Sequence, residues 1–202
     1  MPPTQIVILW ILSVMRFLEP RAPWRGTFET TATAIATESA KAPLFKGQRG
    51  VEQTVDMLLA IGKYESNFDP HAKGDSGASI GLFQIAPATA GLPRDQLFDP
   101  SVASATAIRL VHQSFVICAA RPFDERLAWY AHGGDGCSAL GASVSRHRMQ
   151  KAMWLFGHKK LEDFKGLPAE EQAKLAGIAP PKPESEIPDP EVKAKAAPAG
   201  AP

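Results

Sequence analysis

A strongly amphipathic segment that runs straight into a loop is the feature that most limits how this chain can fold. Within VEQTVDMLLAIGKYES, residues 51–66, apolar and small residues recur at spacings of three and four, which predicts a helix with one buried face. The following residues, 67–78, are rich in Asn, Asp, Gly and Ser, which favour turns over continued helix. Glu65 therefore stands at the end of an apolar helix, beside a polar loop with room for a short hairpin.

Helical patterns dominate the rest of the middle of the chain. We expect further helices over 27–41, from Pro87, over 101–119, up to Tyr130 and over 143–158, separated by Pro, Gly and polar turn residues. The length of 202 residues is enough for one domain with a sizeable core and additional tails. The predicted fold class is mainly α, with a long central helix and a small loop or hairpin lobe.

Composition divides the chain into three parts. We predict an N-terminal helical extension over 1–45, a folded domain over 46–160 and a Pro-, Ala- and Glu-rich disordered tail over 161–202, which cannot bury enough apolar surface to fold. Residues 44–160 hold thirteen Lys or Arg against ten Asp or Glu, and residues 161–202 hold five against eight. Residues 44–160 are therefore only mildly basic and do not have the positive charge density of a nucleic-acid binder.

The N-terminal segment 6–15 is apolar except for Ser13. It is too short to cross a bilayer, so no stable membrane span is expected. Its length matches the apolar core of a signal peptide, but no Lys or Arg precedes it and no small-residue cleavage site follows closely. A buried helix that starts at Thr4 is the favoured interpretation, and a signal peptide is the alternative.

The position of Glu65 allows two interpretations. A carboxyl group at the rim of an apolar core loses hydration, which raises its pKa, and a raised pKa lets a general acid keep its proton near neutral pH. Alternatively, Glu65 is an exposed residue at the end of a helix with no chemical role. The residue types alone leave both interpretations open.

The motif around Glu65 resembles a known family. From Glu65 the chain reads E-S-N-F-D-P-x-A, then a Ser- and Gly-rich loop, then G-L-F-Q-I-x-P-x-T-A. This order and spacing resemble the central motif of the SLT-type lytic transglycosylases, which belong to the lysozyme-like superfamily. A weaker likeness follows in LAWYAHG, residues 127–133, so the resembling region spans about 50–157. The resemblance implies a lysozyme-like (α+β) domain.

The resemblance also implies roles for single residues. Glu65 matches the family's catalytic glutamate, and Tyr130 matches a tyrosine near that carboxyl group. The substrate-binding residues implied by the motif are Ser66, Ser79, Gly81, Phe83, Gln84, Tyr130 and the neighbouring His132. Two departures stand out. Ala131 replaces the family's asparagine, which puts substrate orientation in doubt, and Ser79-Ile80 stand where the common form has one residue, which implies a different loop.

The implied activity is cleavage of the MurNAc–GlcNAc β-1,4 bond of peptidoglycan, with formation of 1,6-anhydro-MurNAc by a single glutamate. No cofactor or metal takes part. One alternative is a goose-type-like lysozyme in which Asp69 or Asp75 positions a water molecule. Another is a non-catalytic glycan-binding or structural component of a phage particle or secretion machine. A small helical adaptor that uses the Pro-rich tail ranks last.

The remaining expectations concern redox state, partners and location. Cys118 and Cys137 are either two buried free thiols or one disulfide, depending on an oxidising compartment. We expect a monomer that binds peptidoglycan glycan strands and no nucleic acid, with the tail as a candidate segment for binding a partner protein. The implied substrate places the protein outside the cytoplasm, in the periplasm or cell wall, with a secretion system or phage particle as possible routes of delivery.

Overall fold

The computed structural model describes residues 5–20, 27–132 and 136–169. These residues form seven α-helices and one two-stranded hairpin. The elements are α1 (Gln5–Leu18), α2 (Thr27–Lys41), α3 (Gly50–Ser66), β1 (Lys73–Gly74), β2 (Ser79–Ile80), α4 (Pro87–Ala90), α5 (Pro100–Ile117), α6 (Ala128–His132) and α7 (Ala139–His158), with 3-10 turns at Asp75–Gly77, Arg94–Phe98, Phe123–Glu125 and Leu161–Asp163. The predicted mainly helical fold with a small hairpin lobe is confirmed.

Helix α3 runs through the core and packs against α1, α2, α5 and α7. Its start requires Gly50, because a Cβ atom there would lie 2.1 Å from the carbonyl oxygen of Phe45. Its end is fixed by Asn67, which adopts a left-handed conformation and donates its N–H to the carbonyl group of Lys63, while the N–H of Phe68 donates to the carbonyl group of Gly62. The last turn of α3 therefore carries Glu65 to the edge of the core.

The N-terminal helices pack against this body. Helix α1 buries Trp10, whose indole Nε1 donates to the carbonyl oxygen of Lys159 at 2.7 Å. At its C-terminal end, Glu19 forms an ion pair with Lys63 of α3. Thr4, the predicted first residue of this helix, lies outside the described residues. Among those that are described, no helix is both long and apolar enough to span a membrane.

The hairpin forms the lobe opposite the end of α3. Strands β1 and β2 are antiparallel, with Lys73 opposite Ile80 and Gly74 opposite Ser79. The lobe is held close to the helical body at Gly81, where φ is +75° and a Cβ atom would lie 2.3 Å from the carbonyl oxygen of Leu97. The extra residue in the Ser79-Ile80 pair is thus absorbed into a paired strand, which ends directly at this tight contact.

Helices α5, α6 and α7 close the other side of the core. Asp99 caps α5 by accepting the N–H groups of Ser101 and Val102. Helix α7 begins at Ala139, earlier than predicted, because Ser138 caps it and accepts the N–H of Gly141 at 3.1 Å. Gly141 also lets α7 approach α6 closely, since a Cβ atom there would lie 2.4 Å from the carbonyl oxygen of Ala128.

The chain divides into two units, residues 1–167 and residues 168–202. Part of the predicted tail lies in the first unit: the Leu161–Asp163 turn follows α7, and the N–H of Leu161 donates to Glu52 of α3 at 2.9 Å. The prediction of disorder for residues 170–202 falls outside the described residues.

Cys118 and Cys137 form a disulfide, which decides between the two alternatives left open by the sequence. It joins the residue after α5 to the segment that precedes α7, across 19 residues of chain. Cys118 is buried with Ala128 and Ala142, and Trp129 packs against the same cluster. The bridge therefore ties the two helices that flank α6.

Asp56 is a buried carboxylate on the same helix as Glu65. Its side chain is 1% exposed, and neither carboxylate oxygen has a hydrogen-bond partner among the described residues. Burial, reinforced by the charge of Glu52 and opposed by that of Arg49, raises the pKa of Asp56 to about 8. Asp56 is therefore protonated in the folded protein at neutral pH.

Replacing both cysteines by serine should lower the free energy of unfolding by about 3 kcal/mol, because a loop of 19 residues opens in the unfolded chain. Urea unfolding of the wild type and of C118S/C137S, each with and without reductant, measures this loss. Reductant should lower the free energy of unfolding of the wild type and leave that of the double variant unchanged. Equal stability of the oxidised wild type and the double variant would contradict the prediction.

The buried Asp56 should make the free energy of unfolding fall as pH rises between about 4 and about 8. Because the pKa of the folded state is raised, the stabilisation is fully present below the unfolded pKa, near 4, and is lost as pH rises through about 8. Asp56→Asn should remove this slope and be more stable than the wild type at high pH, as measured by urea unfolding across the pH range. Asp95→Asn, at an exposed site, should keep the slope. A wild-type stability that does not fall over this range would contradict the assignment.

Candidate active site

A cavity of about 500 Å³ lies between the end of α3, the hairpin lobe and the helices α4 to α6. Its wall is mixed in chemistry, with carboxylates, an amide, hydroxyls and aromatic rings. The lining residues are Glu65, Gly74, Asp75, Ser79, Gln84, Ile85, Ala86, Thr89, Leu110, Trp129, Tyr130 and Ala131. Four of the predicted site residues (Glu65, Ser79, Gln84 and Tyr130) therefore line one cavity.

Glu65 is largely buried at the cavity wall, with 16% of its side chain exposed. Burial raises the pKa of the Glu65 carboxyl above its ordinary value, because the charged form loses hydration. Arg148 opposes this shift through its charge and its hydrogen bond, while the charge of Asp75 adds to it. The net pKa of Glu65 stays raised, which agrees with the first of the two interpretations that the sequence left open.

The sequence did not point to Arg148. Its Nη2 donates to Oε1 of Glu65 at 2.6 Å, across 83 residues of sequence, and its side chain is 11% exposed. It lies on the buried face of α7, next to Met149 and between Ser145 and Ala152. An arginine on that face is the one local signal that could have revealed it, since a charged group in a core needs a partner.

Tyr130 lines the same cavity as Glu65. Its hydroxyl donates to the carbonyl oxygen of Phe83 at 2.9 Å, and its N–H donates to Oγ of Ser114 at 3.1 Å. Burial raises the pKa of the Tyr130 hydroxyl well above its usual value, and the charge of Glu65 raises it further. The hydroxyl is therefore a protonated, fixed hydrogen-bond donor across the working pH range.

Gln84 is held in an unusual backbone conformation, with φ at +46°. Its amide Nε2 donates to the carbonyl oxygen of Gly81 at 3.0 Å. Gly74 makes room for this amide, since a Cβ atom there would lie 2.2 Å from Oε1 of Gln84. On the same rim, the hydroxyl of Ser79 donates to Oδ2 of Asp75 at 2.8 Å. These two contacts give the hairpin side of the cavity a fixed polar edge.

The remaining predicted residues lie behind this edge. The side chain of Phe83 is 1% exposed and lies in the core, so its contribution is the carbonyl group that accepts from Tyr130. The hydroxyl of Ser66 donates to the carbonyl oxygen of Leu82 at 2.8 Å and fastens the lobe to α3. Gly81 provides the tight turn beside Gln84. The side chain of His132 lies outside the described part of the chain.

Three further residues, Asp75, Trp129 and Ala131, line the cavity. Trp129 is partly buried and also lines the cavity. Ala131 lines it too, at the position where the SLT motif has an asparagine. Asp75 is on the wall, whereas Asp69 accepts the N–H of His71 in a turn and is not among the lining residues. Of the two candidate second carboxylates, Asp75 is the one within the site.

Metal ligands do not cluster in the described residues. No group of three or more His, Cys, Asp or Glu side chains there could hold a metal ion.

Comparison with known proteins agrees with the motif. Residues 44–134 match the family described as "Transglycosylase SLT domain". No curated protein and no solved structure matches the chain. The matched region contains Glu65, the hairpin lobe, Gln84 and Tyr130, and it ends before Arg148. This match indicates a glycan-cleaving function of the lytic transglycosylase type, with peptidoglycan as substrate and a site of action outside the cytoplasm. The match over residues 44–134 and the mainly helical fold are therefore consistent with an SLT-type, lysozyme-like domain.

Proposed function

We propose that this protein is a lytic transglycosylase that cleaves the MurNAc–GlcNAc β-1,4 bond of peptidoglycan, with Glu65 as its single catalytic carboxyl group. The observation that carries the proposal is the position of Glu65, which lies on a cavity of about 500 Å³ with its pKa raised by burial. A raised pKa keeps a fraction of this carboxyl protonated as a general acid near neutral pH.

The first step transfers the proton of Glu65 to the glycosidic oxygen while the C1–O4 bond breaks. The 2-acetamido group of MurNAc stabilises the positive charge that develops at C1. The second step forms the O6–C1 bond: Glu65, now a carboxylate, takes the proton of the C6 hydroxyl, and a 1,6-anhydro ring closes. The nucleophile belongs to the substrate and has a high effective concentration, so no second carboxyl group and no water molecule are needed.

The fixed polar groups around the cavity support this chemistry. The Gln84 amide, the Ser79 hydroxyl and the Tyr130 hydroxyl are each held by a contact within the protein. Groups that are held in place before substrate binds lose little entropy when they contact a sugar. We propose Gln84, Ser79 and Tyr130 as the substrate-binding groups and His132 as a neighbouring candidate.

A lysozyme-like hydrolase is the second candidate, and Asp75 is the observation that favours it. Retaining and inverting glycosidases use two carboxyl groups, and Asp75 shares the cavity wall with Glu65. Its Oδ2 accepts the Ser79 hydroxyl, which leaves the other oxygen for a water molecule. We favour the transglycosylase because the motif that surrounds Glu65 is that of the SLT family.

Location and assembly follow from the same proposal. The substrate and the Cys118–Cys137 disulfide both support action outside the cytoplasm, where disulfides persist. A monomeric enzyme, delivery by a secretion system or phage particle, and a tail that binds a partner protein remain predictions.

The wild type should release muropeptides with 1,6-anhydro ends from purified sacculi, and Glu65→Gln should release none, because an amide cannot transfer the proton. Mass spectrometry of the soluble products measures both. Asp75→Asn is the matched control: it should be slower at most and keep the anhydro product. Reducing muramic acid ends that disappear in Asp75→Asn would identify the hydrolase instead. Binding of sacculi without release by the wild type would indicate a glycan-binding module and contradict the proposal.

A further inference from the structure

The two carboxylate oxygens of Glu65 have different surroundings. Oε1 accepts Nη2 of Arg148 at 2.6 Å. Oε2 accepts no hydrogen bond from the described residues, and it is not one of their fully buried polar atoms without a partner. Oε2 is therefore partly exposed. Since Glu65 lines the cavity and Arg148 does not, Oε2 is the oxygen that solvent and substrate can reach.

The guanidinium of Arg148 has few other partners. Its Nη1 lies 3.4 Å from the carbonyl oxygen of Val144, and its Nε is buried without a partner among the described residues. A guanidinium is always charged and only donates hydrogen bonds. Within the described residues, Arg148 forms its ion pair with Glu65. The buried guanidinium therefore needs the Glu65 carboxylate as much as the carboxylate needs the guanidinium.

We propose that Arg148 is a positioning residue that holds Oε1 of Glu65 as a permanent acceptor and thereby confines the transferable proton to Oε2, the oxygen that faces the cavity. The proposal rests on the proposed function, because it concerns the proton that Glu65 delivers to the glycosidic oxygen. A proton on Oε1 would meet the Nη2–H donor of Arg148 and repel it. The proton of a free carboxyl group can lie on either oxygen, and the contact with Arg148 reduces these two protonated forms to one.

Arg148 also balances the charge of the site. Burial and the charge of Asp75 raise the pKa of Glu65, and Arg148 lowers it. The Tyr130 hydroxyl, whose pKa is raised by burial and further by the charge of Glu65, stays protonated. Without Arg148, Glu65 would hold its proton too firmly to become the carboxylate that the second step needs. The arginine therefore supports both the acid and the base role of one group.

An NMR titration tests the electrostatic part without relying on activity. The side-chain carboxyl carbon of Glu65, assigned by its loss in Glu65→Gln, is followed against pH in the wild type, Arg148→Gln and Arg148→Lys. Arg148→Gln should raise the midpoint by about 1–3 units, because an opposite charge is removed. Arg148→Lys keeps the charge and should stay near the wild type. An unchanged midpoint in Arg148→Gln would overturn the proposal.

Kinetics on sacculi test the positioning part. In Arg148→Gln, the alkaline limb of the pH profile of kcat/KM should move to higher pH together with the NMR midpoint. On the acid side of that limb, kcat should fall about 10–100-fold with little change in KM, since a misplaced catalytic group can lower the rate by this much. Arg148→Lys should lower kcat while keeping the limb, because a mobile ammonium replaces a fixed fork.

The two variants separate the possible failures. Wild-type kcat in both Arg148 variants would overturn the positioning role, and Arg148→Lys alone decides it if Arg148→Gln does not fold. A wild type that releases no product contradicts the proposed function itself, and the NMR titration then still decides whether Arg148 controls the Glu65 proton.

Discussion

The ion pair between Glu65 and Arg148 is the interaction on which the site depends. It joins the last turn of α3 to the buried face of α7, two helices that are far apart in sequence and pack against each other in the core. A buried charge without a partner is strongly destabilising, so each group requires the other. The packing of these two helices therefore sets the position of the carboxyl oxygen that meets the substrate.

The rest of the fold gives this pair a fixed frame. Asn67 ends α3 in a left-handed conformation. Glu65 therefore lies in the last turn of this helix, at the edge of the core. Ser66 fastens the hairpin lobe to the same turn through the carbonyl group of Leu82. The Phe83 carbonyl group accepts the Tyr130 hydroxyl and holds it in place. The disulfide at Cys118 and Cys137 constrains the helices around α6, which carries Tyr130.

Local sequence signals predicted much of this arrangement. Spacings of three and four residues gave the central helix, and turn residues gave the hairpin beside it, because both depend on neighbours in the chain. The motif likewise brought together Glu65, Ser79, Gln84 and Tyr130, which line one cavity. Helix α7 begins before the predicted residue 143, because Ser138 caps it and Gly141 permits close packing on α6.

Long-range contacts could not be predicted in the same way. Arg148 is 83 residues from Glu65, outside the region that matches the family. Phe83 was expected to bind substrate, but its ring is buried in the core and its carbonyl group accepts the Tyr130 hydroxyl. Asp56 is a carboxyl group in an otherwise apolar stretch of α3, and only the packed structure shows that neither of its oxygens has a hydrogen-bond partner within the described part of the chain. These features arise from packing between elements, which a single sequence does not specify.

The central claim is that one carboxyl group suffices because the substrate supplies its own nucleophile. The source of the oxygen atom that becomes bonded to C1 tests this claim directly. Digestion of purified sacculi in ¹⁸O-labelled water, followed by mass spectrometry of the released muropeptides, measures whether solvent oxygen enters the product. A transglycosylase gives 1,6-anhydro ends without label, because O6 of the same sugar attacks C1. Labelled reducing ends formed by the wild type and lost in Glu65→Gln would show that water is the nucleophile and would contradict the account.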